Sequence, residues 1–146
     1  MADIGLNPPK ATKIHSRTGV MTDALAQFGS ILIQAGTGNH ADMVTTTSAG
    51  ANGVQGVVHS QGDPNNSGLF AVGDQASVAD LGEVAVLVVA GTYAVGDPII
   101  TSTTAGAGKK LAAETGADIV GFSEQAIVLA QTGLISCRLN IYRRGA

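Results

Sequence analysis

The chain has 146 residues, the size of one ordinary domain, and needs neither disulfides nor a structural metal to bury a core. Apolar residues make up 45% of it, whereas charged residues reach 13% and aromatics 3%, well under the roughly 25% charged of an average soluble domain. The net charge of −3, the lack of a dense basic run and the scarcity of aromatic rings exclude a nucleic-acid binder, and the longest apolar run, Val84 to Ala90, is too short to span a bilayer.

Residues 1–21 read as an extended arm and residues 22–146 as a single β domain. Pro8 and Pro9 fix two φ angles and hold their predecessors extended, and the apolar residues Ile4, Leu6, Ile14 and Val20 are sparse. Charge is segregated along the chain. Lys10, Lys13 and Arg17 face only Asp3 at one end, and Arg138, Arg143 and Arg144 follow Leu134 without an acid at the other. Every remaining acid lies between these ends, against only Lys109 and Lys110. Basic ends around an acidic body suit docking on an acidic protein surface. Pro8, Pro9, Lys10, Lys13 and Arg17 are therefore the candidate docking residues; a loose terminus is the plainer alternative. The opening Met-Ala-Asp-Ile-Gly lacks a basic segment followed by an apolar one, so no secretory signal is expected, and a single cysteine, Cys137, allows no internal disulfide.

Met21 to Gly29 fits one short helix, with Thr22 as N-cap, Asp23 in the first turn and Gly29 at the end. From Ser30 onward the chain reads as strands and turns. Ile31 to Ile33 and Val54 to His59 are short apolar runs, and Gln61 to Gly68 has pure loop composition. Gln75 to Ala79 and the valine-rich Glu83 to Val89 read as two strands, the second covered on both faces. Pro98 to Thr103 starts on a proline, where a missing N–H does least harm, and Thr101 to Gly108 is a small-residue loop. Ile119 to Leu129 reads as a strand, with a helix at Ser123 to Ala130 as the competing reading, and Gln131-Thr132-Gly133 as a tight turn after it. In the last segment Ile135, Cys137, Leu139 and Ile141 alternate with Ser136, Arg138, Asn140 and Tyr142, the period of a half-buried strand.

One sequence recurs: Phe70-Ala-Val-Gly-Asp74 returns as Tyr93-Ala-Val-Gly-Asp97, each copy leading into a strand-like run. Gly-Asp suits a turn, because glycine reaches positive φ and aspartate bonds nearby backbone N–H groups. Two copies are too few for a solenoid, so they read as equivalent corners of one sandwich or barrel. Strands of this length separated by Gly, Ser, Thr and Asn turns specify an all-β fold, a single-domain β-sandwich or β-barrel carrying an extended N-terminal arm.

No catalytic, cofactor or metal site is expected. Gly106-Ala-Gly-Lys-Lys110 ends like a phosphate-binding loop, but Thr103 stands where its first glycine belongs and Lys110 where Ser or Thr belongs. Gly121-Phe122-Ser123 begins like a nucleophile elbow and lacks the closing glycine. His15, His40 and His59 show no ligand spacing and stand far from Cys137. A metal role for Asp74 or Asp97 finds no further acid close by in sequence.

The order of several motifs carries a resemblance. Gly53-Val-Gln-Gly-Val-Val58, then Gly73 to Val78 with Gly82 to Val86, then Ala90 to Ile99, and finally Ile119 to Phe122 with Thr132-Gly133 and Cys137 to Tyr142 resemble, in sequence, the head decoration (capsid cement) proteins of tailed bacteriophages. The resemblance spans roughly two-thirds of the chain, Gly53 to Tyr142, and rests on turn chemistry. It implies a β body, a homotrimer, and a non-enzymatic role on the outer capsid surface of the virion. There the protein would bind the major capsid protein at subunit junctions, after synthesis in the bacterial host cytoplasm. It implies no cofactor, no nucleic acid and no membrane as partner. A tail or baseplate protein or a surface-adhesin module is the alternative within structural proteins, and a small β-barrel hydrolase the alternative among enzymes.

Overall fold

The computed structural model describes residues 14–143. Eleven strands are β1 (His15–Met21), β2 (Ile31–Gln34), β3 (Asp42–Thr45), β4 (Val54–Val58), β5 (Gln75–Val88), β6 (Gly91–Tyr93), β7 (Pro98–Thr101), β8 (Gly108–Lys110), β9 (Asp118–Ser123), β10 (Ile127–Leu129) and β11 (Gly133–Arg143). The only helical turn among the described residues is a 3-10 turn at Pro64–Asn66, so the all-β expectation holds.

Strand β5 organises the molecule. Its first half pairs with β1 on one edge and β4 on the other, closing a five-stranded barrel in the order β1-β3-β2-β4-β5. Its second half pairs with β11, from which the sheet runs on through β9, β7 and β8. A parallel bridge from Gly108 to Val88 returns that second circuit to β5. The Val58, Val78, Ala76, Leu32, Met21, Met43, Ala26 and Phe70 side chains form a buried cluster within the first circuit's strands and turns. Val84, Val86, Val88, Ile135, Cys137, Leu139, Val120 and Ile99 anchor the larger core, over which the two-stranded ribbon of β6 and β10 packs through Tyr93, Ile127 and Leu129. Each fully buried Val, Leu or Ile contributes about 1.5–3 kcal/mol, so these two clusters hold the fold without disulfides.

Several expectations are met at residue level. On β11, Ile135, Cys137 and Leu139 are buried while Ser136, Arg138 and Asn140 are exposed. The two recurrent pentapeptides form matching corners. In the first, the Asp74 N–H donates to the Ala71 carbonyl (3.0 Å) and the Ala71 N–H to Asp74 Oδ2 (2.9 Å). In the second, the Asp97 N–H donates to the Ala94 carbonyl (3.1 Å) and the Ala94 N–H to Asp97 Oδ2 (2.8 Å). Gly73 and Gly96 both sit at φ 92°, the value this turn requires at its third position. Each corner also bonds the end of a strand: Gly73 N–H to the Met21 carbonyl (2.7 Å), Gly96 N–H to the Ser123 carbonyl (2.8 Å).

Other expectations are corrected. The stretch expected as a helix, Met21 to Gly29, instead ends β1 at Met21 and continues as turns over residues 22–29. Nine residues cannot sustain a helix alone, and their capping groups are spent elsewhere: Thr22 Oγ1 donates to the Met43 carbonyl (2.9 Å), and Asp23 Oδ2 accepts from Thr45 N–H (3.2 Å) and Thr45 Oγ1 (2.7 Å). The runs at 75–79 and 83–89 are one strand, because Gly82 stays in the ladder opposite Leu139 instead of turning the chain. The segment 119–129 is neither one strand nor a helix. Ser123 Oγ donates to the Gln125 carbonyl (2.8 Å) and turns the chain, so that β9 pairs with β11 while β10 pairs with β6. Within the stretch assigned to the arm, residues 15–21 are β1, a strand of the barrel wall with Met21 fully buried.

Candidate functional site

Of the residues singled out for docking, Pro8, Pro9, Lys10 and Lys13 lie outside the described residues. Arg17 lies on β1, where its Nη2 donates to Gln55 Oε1 on β4 (2.6 Å), tying the guanidinium to the barrel wall. The structure also shows where the two basic ends of the sequence join the body. His15 of β1 and Asn140 of β11 are both register partners of Leu81. Both strands run antiparallel to β5, so the start of β1 and the end of β11 flank the same residue of that strand. The start of β1 and the end of β11 therefore lie at one pole of the molecule, around Leu81.

That pole is apolar and open. Ile14, Leu81 and Tyr142 are exposed by 37%, 48% and 45%. Tyr142 stacks on Phe122 of β9, with ring centroids 6.3 Å apart and planes 27° from parallel. Next to it on the outward face of β11, Arg138 Nη2 bridges Glu83 (2.8 Å) and Glu124 (3.3 Å). His15 Nδ1 meets Asp80 Oδ1 at 2.7 Å. Exposed ion pairs contribute little stability; these hold their side chains in fixed positions on the surface near Leu81. The outward set of β11 was legible from its alternation. Leu81 was not, because the strand that carries it read as two.

The side chains that resembled catalytic motifs are spent on structure. Ser123 is buried and its Oγ both donates to and accepts from the Gln125 backbone. Lys109 and Lys110 lie on β8 and pair with Glu114 and Asp97, the second at 3.7 Å. Burial, aided by Glu124, pushes the Cys137 thiol up to about 12, the state of an inert core cysteine. Burial, then Cys137, raises Tyr93, whose hydroxyl donates to the Val89 carbonyl (2.7 Å). His15 sits at the pole, His59 against the Phe28 ring (6.1 Å) and His40 in an exposed turn. Among the described residues no three His, Cys, Asp or Glu side chains cluster as metal ligands.

The chain matches no protein-family model and no curated protein in sequence. In fold it is similar to the crystal structure of the N base of head fiber gp8.5 in bacteriophage phi29, with a TM-score of 0.57 at 13% identity, covering 88% of this chain and 95% of that one.

Proposed function

We propose that this protein is a non-enzymatic structural component of a phage head, a decoration (cement) protein that binds the outer capsid surface. What carries the reading is the fold shared along nearly the whole chain with a base module of a phage head fiber. The low charge and the apolar pole support it, since both suit a chain whose surface is covered by neighbours. In this reading the pole formed by Ile14, Leu81 and Tyr142 faces the major capsid protein at subunit junctions. The basic residues Lys10 and Lys13, which precede it in sequence, meet an acidic surface there. Copies assemble as a homotrimer, and the lattice raises the apparent affinity of each.

Co-sedimentation with bare heads tests the proposal. The full chain should pellet with heads, and Leu81→Asp and a chain lacking residues 1–13 should each bind at least tenfold more weakly, the loss expected of about 1.4 kcal/mol. Undiminished binding by both would overturn the docking site, and no binding by the full chain would overturn the function. The neighbour's name favours a second reading, an anchoring base for a fiber. A cement protein raises the temperature at which filled heads release DNA, whereas a base leaves it unchanged.

A further inference from the structure

The sequence contains one Asn-Gly step, Asn52-Gly53, the dipeptide most prone to succinimide formation because glycine offers no side chain to hinder attack. In that reaction the Gly53 backbone nitrogen attacks Asn52 Cγ. The N–Cγ bond forms, the Cγ–Nδ2 bond breaks, and ammonia leaves with the Gly53 proton. Water then opens the ring at either carbonyl, giving aspartate or isoaspartate.

Asn52 is exposed in the loop before β4, so solvent reaches it. The attacking nitrogen, however, is occupied. The Gly53 N–H donates to Asp118 Oδ2 at 2.7 Å, and the same oxygen accepts the Val54 N–H at 3.1 Å. Asp118 is only 7% exposed. The loop is also held on its other side: the Asp118 N–H donates to the Ala51 carbonyl (3.3 Å) and the Ala51 N–H to Thr101 Oγ1 (2.7 Å). A charge-assisted bond to a carboxylate keeps the amide proton in place and turns the nitrogen away from the neighbouring side chain. Backbone clamped on both sides cannot swing into the ring geometry.

We propose that Asn52 is a latent deamidation site that Asp118 holds shut in the folded protein and that opens when the loop before β4 detaches. Asp118 is here a positioning residue; it reacts with nothing. A new carboxylate at Asn52, next to Asp118, would oppose reclosing of the loop through like-charge repulsion. Modification thus marks chains that have opened.

The test incubates the full chain in mildly alkaline buffer, folded or in urea, and follows isoaspartate and the amide-to-acid mass change at Asn52 by peptide mapping. The folded rate should lie at least about tenfold below the urea rate, as for a site that reacts only through local opening. Asp118→Asn, a neutral acceptor, should raise the folded rate, and Asp118→Ala should raise it further. Met43→Ala, which loosens the separate core of the first circuit, should leave it near wild type. Equal rates with and without urea would overturn the proposal, and so would a folded Asp118→Ala chain at the wild-type rate or a Met43→Ala chain as fast as Asp118→Ala. If the Asp118 variants do not fold, amide exchange at Gly53 in the wild type decides. Protection of at least about tenfold supports the clamp, and an amide exchanging as in urea refutes it.

Discussion

Asp97 closes around Val95 the same turn that Asp74 closes around Val72, with the same two hydrogen bonds and the same glycine φ of 92°. The valines at the turn tips are exposed to similar extents, 65% and 69%. The aromatic residue three before each glycine, Phe70 or Tyr93, is buried. One pentapeptide thus builds the same device twice: an aromatic peg in the core, an exposed tip, and an acid that locks the turn and passes the chain into the next strand.

Asp74→Ala and Asp97→Ala should each cost about 1 kcal/mol, the worth of one hydrogen bond from a backbone N–H to a carboxylate less its solvation. Asp97→Ala should cost slightly more, because Lys110 stands 3.7 Å from its carboxylate. Urea melts compare the two; a difference above about 1 kcal/mol would contradict the equivalence of the corners.

Gly121 on β9 packs directly against the backbone of β11: an added Cβ would collide with the Arg138 carbonyl oxygen and lie 3.0 Å from Leu139 Cα. Backbone cannot rotate away as a side chain does. Gly121→Ala should therefore destabilise by about 1–3 kcal/mol, the range for overpacking, with thermal unfolding as the measure. Gly116→Ser is the control for space, since an added Cβ there meets nothing within 4 Å; it still carries the strain of φ 71° and should cost less.

Thr46 is fully buried and its Oγ1 has no hydrogen-bond partner. Its backbone bonds, N–H to Ile31 (3.1 Å) and carbonyl from Gly106 (2.8 Å), do not depend on the side chain. Thr46→Val replaces a stranded hydroxyl with a methyl of the same shape and should stabilise by about 1 kcal/mol. A loss of stability would mean that the hydroxyl is satisfied by bound water.

Cys137 should resist Ellman's reagent in the folded protein and react at once in urea, since burial both shields the sulfur and holds its thiol up at about 12. The sign for stability follows. The unfolded thiol ionises near its ordinary value of 9.0 while the folded one stays protonated, so the unfolded state binds fewer protons and stability falls as pH rises from about 9 toward 12. Cys137→Ala should remove that component of the alkaline slope.

Glu114 lies in the opposite case. The hydrogen bond from Lys109, with help from the backbone N–H of Ala112, lowers its carboxyl from 4.5 to about 2. A folded pKa below the unfolded one adds stability that is fully present above the unfolded value and disappears as pH falls from about 4.5 to about 2. Glu114→Gln should flatten that part of the acid limb, measured by urea melts across the window, and leave the alkaline limb unchanged.

Local chemistry determined what the sequence disclosed by itself. The period-two run of β11 named its own buried and exposed faces, the Val-Gly-Asp corners announced their turns, and the spacing of strands and small-residue loops specified an all-β domain, because each signal needs only residues within a few positions of one another. Tertiary structure decided the rest. Whether Gly82 turns the chain or lies in a ladder depends on Leu139 being opposite it. Whether Met21 to Gly29 coils depends on Thr45 and Met43 claiming the polar groups of Thr22 and Asp23. That the start of β1 and the end of β11 share one pole depends on both strands pairing with Leu81. These are pairings between residues tens of positions apart, fixed by the shared burial of two β circuits on one long strand, and no local pattern encodes them.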